Sequence, residues 1–248
     1  MKKSVTSGKL YGIGVGPGDP QLLTIKAMKI LEKMKYIFTA ASDSSGRSLA
    51  LEIVSDYIAP DAKVHPLHFP MTRKKERLER AWRENCEKVK KVLSLPEDAA
   101  FITLGDPSTY STFTYLMRKL DQIVDLRCEI VPGITSYQAS AALAGLPLAE
   151  AEESITIVSG AKGTKELEHA LTYSDNIVIM KAYRHYREIV KFLKEKGLAG
   201  QSVAVRRCGL PGEEISLKID EWNGEEKSYF TLLIVKKRPL HKKLSYIG

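Results

Sequence analysis

Ala99-Ala100-Phe101-Ile102-Thr103-Leu104-Gly105-Asp106-Pro107-Ser108-Thr109-Tyr110-Ser111 is the stretch that decides the fold. An apolar run reaches Leu104 and stops at Gly105-Asp106-Pro107, and hydroxyl and aromatic side chains follow at once. This is the pattern of a buried strand emptying into a turn, with a helix behind it. In open α/β sheets, ligands gather at the carboxyl ends of strands. Asp106, Ser108, Thr109, Tyr110 and Ser111, all able to contact a small polar ligand, crowd this strand end.

Working outward, the same rhythm repeats. Apolar spacing predicts strands over 9–15, 36–41 and 63–69 and helices over 22–31, 49–57 and 73–93. A helix over 109–120, a strand over 126–131 and an alanine-rich helix ending at Gly145 follow. Strands alternating with helices predict βαβ units and a mostly parallel sheet. After Leu146-Pro147 the texture changes. Strands are expected over 154–159, 176–180 and 202–206, with helices over 165–171 and 186–196. Residues 214–219 and 229–235 read as consecutive strands with no helix between them, so this sheet should be mixed. The expected organisation is an N-terminal α/β domain over 1–131, a connecting turn and helix over 132–150, and a C-terminal α/β domain over 151–248.

Composition narrows the function classes. The chain has 248 residues, 44% hydrophobic and 27% charged, which suits a soluble globular protein. No apolar run approaches the ~20 residues needed to span a bilayer. Residues 1–9 are polar and lack a signal core, so export is not expected. Cys86, Cys128 and Cys208 are odd in number and lack Cys-x-x-Cys spacing, which points to free thiols in a reducing cytoplasm. The net charge of +8 suits either nucleic-acid phosphates or a small polyanionic substrate. Its runs, at 73–75, 88–91, 236–238 and 242–243, mostly read as solvated helix faces or a basic tail. Neither aromatic-interleaved basic strands nor a recognition-helix signature supports nucleic-acid binding. His65 and His68 flank Pro66 without a completing Cys or acidic ligand, so no metal site is expected. A serine-hydrolase elbow, Gly-x-Ser-x-Gly, is missing.

Three turns carry the chemistry. Gly12-Ile13-Gly14-Val15-Gly16-Pro17-Gly18 has the look of a dinucleotide fingerprint, but the Gly-x-Gly-x-x-Gly spacing fails: Pro17 or Asp19 stands where the third glycine belongs. Pro17 and Pro20 also remove N–H groups that a pyrophosphate needs. Such glycines do allow a ligand to approach the backbone closely. Gly105-Asp106-Pro107 also fits a purely structural role, with Asp106 capping and Pro107 opening a helix that starts at Ser108. Asp19-Pro20 fits the same role. Pro132-Gly133-Ile134-Thr135-Ser136 is the third turn, where Thr135 or Ser136 could cap the next helix or hydrogen-bond a ligand.

Taken together, these turns resemble the S-adenosylmethionine-dependent tetrapyrrole (corrin and porphyrin) methyltransferases. The matching pieces are residues 10–20, 105–110 and 131–136, then Asn176-Ile177-Val178-Ile179-Met180-Lys181 and Tyr229-Phe230-Thr231-Leu232. Within the family the chain is most similar to the precorrin-2 or cobalt-factor II C20-methyltransferases. Ser111 follows the tyrosine where siblings usually have Gly, and Phe69-Pro70-Met71-Thr72 precedes a charged helix containing Trp82.

The resemblance implies two α/β domains with a cofactor trough between them. The cofactor contacts it implies are Pro17, Leu104, Gly105, Asp106, Thr109, Thr135, Ser136, Met180 and Gly209, with Tyr110 facing the place where methyl donor and acceptor meet. It implies S-adenosylmethionine as donor, S-adenosylhomocysteine as product, an anionic tetrapyrrole as acceptor, and a homodimer. Such an acceptor, bearing eight carboxylates, gives the basic excess a use without nucleic acid or membrane. Arg47, Lys162, Lys181, Arg184 and Arg206, near expected strand ends or loops, are the candidates for pairing with it, and Ser111 for narrowing the substrate. The alternatives are another ring carbon or uroporphyrinogen III within the same family, a nicotinamide-dependent oxidoreductase, and a basic nucleic-acid-binding protein.

Overall fold

Helix and strand alternate through the first half of the chain. In the computed structural model, which describes residues 4–41, 48–70, 72, 74–222 and 229–239, the order is β1 (Ser4–Val5), β2 (Leu10–Gly14), α1 (Ile25–Leu31), β3 (Tyr36–Ala41), α2 (Leu49–Val54), β4 (Lys63–His68), α3 (Lys75–Leu93), β5 (Ala99–Thr103), α4 (Thr112–Ile123), β6 (Val124–Asp125) and β7 (Cys128–Val131). Five of these strands form one sheet in the order β4-β3-β5-β2-β7, and every pairing in it is parallel. The short strands β1 and β6 pair separately.

The continuous apolar character of β5 follows from burial on both faces, as parallel sheets require. On one face, Ile13, Ile37, Ala100, Ile102 and Val131 pack with Ala27 and Leu31 of α1 and Ile53 of α2. On the other, Leu10, Phe38, Ala99 and Phe101 pack with Cys86, Val89 and Leu93 of α3 and Phe113, Leu116 and Leu120 of α4. Those helical positions recur every three or four residues, which keeps the charged remainder of α3 in solvent.

The second half runs α5 (Ser136–Leu143), β8 (Ile155–Ser159), α6 (Lys165–Tyr173), β9 (Asn176–Met180), α7 (Tyr186–Glu195), β10 (Ser202–Arg206), β11 (Glu214–Ser216) and β12 (Thr231–Lys236). Its sheet has the order β11-β10-β12-β9-β8. Only β8 and β9 pair in parallel, so this sheet is mixed. Leu167 and Ala170 of α6 and Ile189 and Leu193 of α7 cover Ile177, Ile179, Ala204 and Leu233. The chain divides into two compact units, Met1–Thr135 and Ser136–Gly248, which places α5 with the second.

Several expected elements shift. The helix expected from 109 begins at Thr112, and the one expected from 22 begins at Ile25. Asp19-Pro20 opens only a single 3-10 turn, Pro20–Leu22, and Thr24 caps α1 by accepting from the Ala27 N–H at 3.2 Å. The strand expected over 126–131 is β7, beginning at Cys128, and the two residues just before that span, Val124–Asp125, form the separate β6 of another sheet. The two late strands are not neighbours, because β10 lies between β11 and β12 and pairs with both.

Candidate functional site

Three adjacent strands, β5, β2 and β7, end nearly level: Gly14 lies opposite Thr103, and Ile13 opposite Val131. Their turns, residues 15–20, 104–111 and 132–136, therefore meet at one sheet edge. The first two are laced by their backbones. The Gly105 N–H donates to the Gly16 carbonyl at 2.7 Å and the Gly16 N–H donates back at 3.3 Å. Both glycines have positive φ, 79° and 64°, which residues with a Cβ adopt only at a cost.

The third turn is tied in by Asp106. One carboxylate oxygen accepts from the Gly133 N–H at 3.1 Å, and the other accepts from the Ser108 N–H at 2.8 Å and from the Ser108 hydroxyl. Asp106 is buried. It braces two strand ends and does not cap α4, contrary to the structural role open to it in the sequence. The cap is Ser111, whose Oγ accepts from the Phe113 N–H at 3.1 Å and donates to Thr103 Oγ1 at 3.1 Å. Tyr110, with φ at 50°, interrupts the chain just before it and stands 49% exposed.

The junction is packed backbone against backbone. A Cβ on Gly14 would fall 2.5 Å from the Gly105 carbonyl oxygen and 2.6 Å from the Gly133 nitrogen, and a Cβ on Gly133 would fall closer still to that oxygen. Sequence reasoning singled out Thr135 and Ser136 in the third turn and passed over Gly133. The available signal was a glycine at a strand end, which often marks close backbone approach.

Of the sequence-derived cofactor candidates, Pro17, Leu104, Gly105, Asp106, Thr109 and Thr135 lie in these three turns, with Tyr110 beside them. Pro17, Asp106 and Thr135 are buried and the other cofactor candidates among them partly so. The turns hold two carboxylates, Asp19 and Asp106, and no Lys or Arg. That donor set suits a small zwitterionic or cationic group such as a sulfonium and would repel a pyrophosphate.

In the second unit, β8, β9 and β10 end at a common edge, where β12 begins. Ser159 lies opposite Met180, and Arg206 opposite Thr231. Met180 closes β9. Lys181 follows in the left-handed region at φ 56° and ψ 36°, and burial pushes its ammonium pKa down. Arg184 ends the next turn. Lys162 ends the turn after β8 and pairs with Glu166 at 3.4 Å. Arg206, 7% exposed, pairs with Glu214 and lies over the Trp222 ring at 5.3 Å. Arg207 then turns with φ 53° and Gly209 with φ 73°. The structure thus brings Lys162, Lys181, Arg184 and Arg206 to one edge, together with Met180 and Gly209. Ser136 opens α5. Ser111, at 5% exposure, has its hydroxyl engaged in capping. Arg47 lies outside the described residues. Among the described residues, no group of three or more His, Cys, Asp or Glu could hold a metal ion, and no helix is long and apolar enough to cross a membrane.

Comparison with known proteins identifies the family. Residues 9–221 match the model of the Tetrapyrrole (Corrin/Porphyrin) Methylases. The chain is 34% identical over 233 residues to the cobalt-precorrin-2 C(20)-methyltransferase of Salmonella typhimurium, covering 94% of this chain and 98% of that protein. It is 38% identical over 234 residues to the probable cobalt-precorrin-2 C(20)-methyltransferase of Methanocaldococcus jannaschii, covering 92% and 96%. The fold matches the uroporphyrin-III C-methyltransferase of Thermus thermophilus, solved with S-adenosylhomocysteine, at a TM-score of 0.64 and 24% identity over 93% of this chain and 98% of that one.

Proposed function

Because the chain belongs to the tetrapyrrole (corrin/porphyrin) methylases, we propose that it is an S-adenosylmethionine-dependent methyltransferase acting on the C20 meso carbon of precorrin-2 or cobalt-factor II in cobalamin biosynthesis. The observation that carries the reading is the likeness, over nearly the whole chain, to two C20-methyltransferases. The Gly14–Gly105–Gly133 junction supports it, as a backbone-lined site without phosphate-binding cations. The proposed cofactor contacts are Pro17, Leu104, Gly105, Asp106, Thr109 and Thr135 of the first unit and Ser136, Met180 and Gly209 of the second.

When bound, S-adenosylmethionine supplies an electrophilic methyl group on a positively charged sulfur. The residues around it then have little acid–base work to do at the transfer step. Fixed turns hold donor and acceptor in line, and such alignment can contribute up to ~7–11 kcal/mol in favourable systems. Asp106 contributes by locking two of those turns together. Tyr110, exposed and held at positive φ, is the proposed residue at the reacting centre. An electron-rich C20 would take the methyl carbon as the sulfonium S–C bond breaks, leaving S-adenosylhomocysteine, and would then lose its proton to solvent. Lys162, Lys181, Arg184 and Arg206 are proposed to meet the substrate carboxylates, Arg being the better bidentate partner. The proposal extends to a cytoplasmic homodimer. Free Cys86, Cys128 and Cys208 fit a reducing compartment.

Titration calorimetry tests the cofactor class. S-adenosylhomocysteine should bind and NAD should not. Binding of NAD alone would favour a nicotinamide-dependent oxidoreductase instead.

A further inference from the structure

We propose that Tyr183 and Tyr229 form an aromatic rest for the conjugated face of the acceptor tetrapyrrole, with Arg184 and Lys181 meeting carboxylates at its rim. The proposal rests on the methyltransferase reading above and adds to it the residues that seat the ring.

Four observations carry it. First, the two rings meet, with centroids 5.5 Å apart and planes at 54°, and Phe230 closes on Tyr229 edge-on at 5.3 Å. Second, neither tyrosine belongs to the hydrophobic core of the second sheet, and Tyr229 is 44% exposed. A pair of large rings gathered outside the core is surface available to a ligand.

Third, the rings lie beside two of the three cofactor candidates of this unit, Met180 and Gly209. Tyr183 follows Met180 within a single turn, and the Phe230 carbonyl accepts from the Arg207 N–H at 2.9 Å, two residues before Gly209. A macrocycle resting there lies next to the residues proposed to hold the methyl donor. Fourth, the charge suits a polyanion. The Arg184 guanidinium lies 5.4 Å from the Tyr183 ring centre and its Nε donates to the Tyr183 hydroxyl at 2.6 Å. Lys162 is already matched by Glu166 and Arg206 by Glu214. Among the described residues, Arg184 is paired with no carboxylate, which leaves its outer nitrogens for a substrate. Glu188, the acidic side chain in the first turn of the following helix α7, is held by His185 at 3.0 Å and by Thr164.

Stacking predicts a ring-specific effect. Tyr183→Leu and Tyr229→Leu should each raise KM for the tetrapyrrole by about tenfold, whereas Tyr183→Phe and Tyr229→Phe stay within about twofold. Affinity for S-adenosylhomocysteine should be unchanged in all four. Uroporphyrin, an unreactive octacarboxylate, supplies a readout independent of turnover: its absorption band should shift on binding to the wild type and not with Tyr183→Leu, Tyr229→Leu or Arg184→Gln. Leu variants that keep wild-type KM and a wild-type band shift would overturn the proposal while leaving the methyltransferase reading intact. A wild type that methylates no tetrapyrrole, yet binds uroporphyrin through these rings, would overturn that reading and leave the ring site standing.

Discussion

At Gly133 the backbone N–H is held by the Asp106 carboxylate at 3.1 Å, and the place where a side chain would begin is filled by Gly14 and the Gly105 carbonyl. These contacts are backbone to backbone, so no side-chain rotation can relieve a substitution. Gly133→Ala should therefore destabilise the first unit by about 1–3 kcal/mol or more, as overpacking does. Urea denaturation followed by circular dichroism checks this, and an unchanged midpoint would contradict it. The carboxylate itself shows why single residues were hard to read. Asp before Pro is a good helix cap by local chemistry, and nothing nearby in the sequence announces that the acceptor is needed by residue 133. Pairings of this kind depend on which strands become neighbours.

Among the elements, α4 shows both what local sequence reveals and what it conceals. The helix expected here is present, and Phe113, Leu116 and Leu120, three and four residues apart, form its buried face. Its start is concealed by a run, Asp106 to Ser111, in which Asp106, Ser108, Thr109 and Ser111 can each cap a helix and Pro107 can open one. The left-handed turn at Tyr110 decides the matter and leaves Ser111 as cap. Ser111→Ala should then cost about 1 kcal/mol of stability, whereas Ser111→Gly should cost only a few tenths. Equal losses for the two variants by chemical denaturation would argue against a capping role. Parallel strands were legible because each is a short apolar run between turns. The order β11-β10-β12-β9-β8 was not, because consecutive strands commonly pair and here β10 intervenes. Likewise Tyr183 and Tyr229 lie on different segments and meet only because β9 and β12 are partners.

For the whole molecule, charge and fold lead to one substrate class. A net charge of +8 draws in a polyanion and is compatible with nucleic acid as well. Its placement discriminates: Lys162, Lys181, Arg184 and Arg206 gather at one edge of the second sheet, near the exposed Tyr229, while the three turns 15–20, 104–111 and 132–136 of the first sheet carry no cation. A small ring with acidic substituents matches that separation better than an extended phosphate backbone. The family is visible in short motifs spread over the chain, and in the first unit three of them are turns whose glycines allow their backbones to meet. Which ring carbon accepts the methyl is not written in any one of them. The measurement that decides it is incubation of the protein with methyl-labelled S-adenosylmethionine and either precorrin-2 or cobalt-factor II, with NMR of the product. Label on C20 is the expected result, and label on another ring carbon, or on neither substrate, would contradict the account.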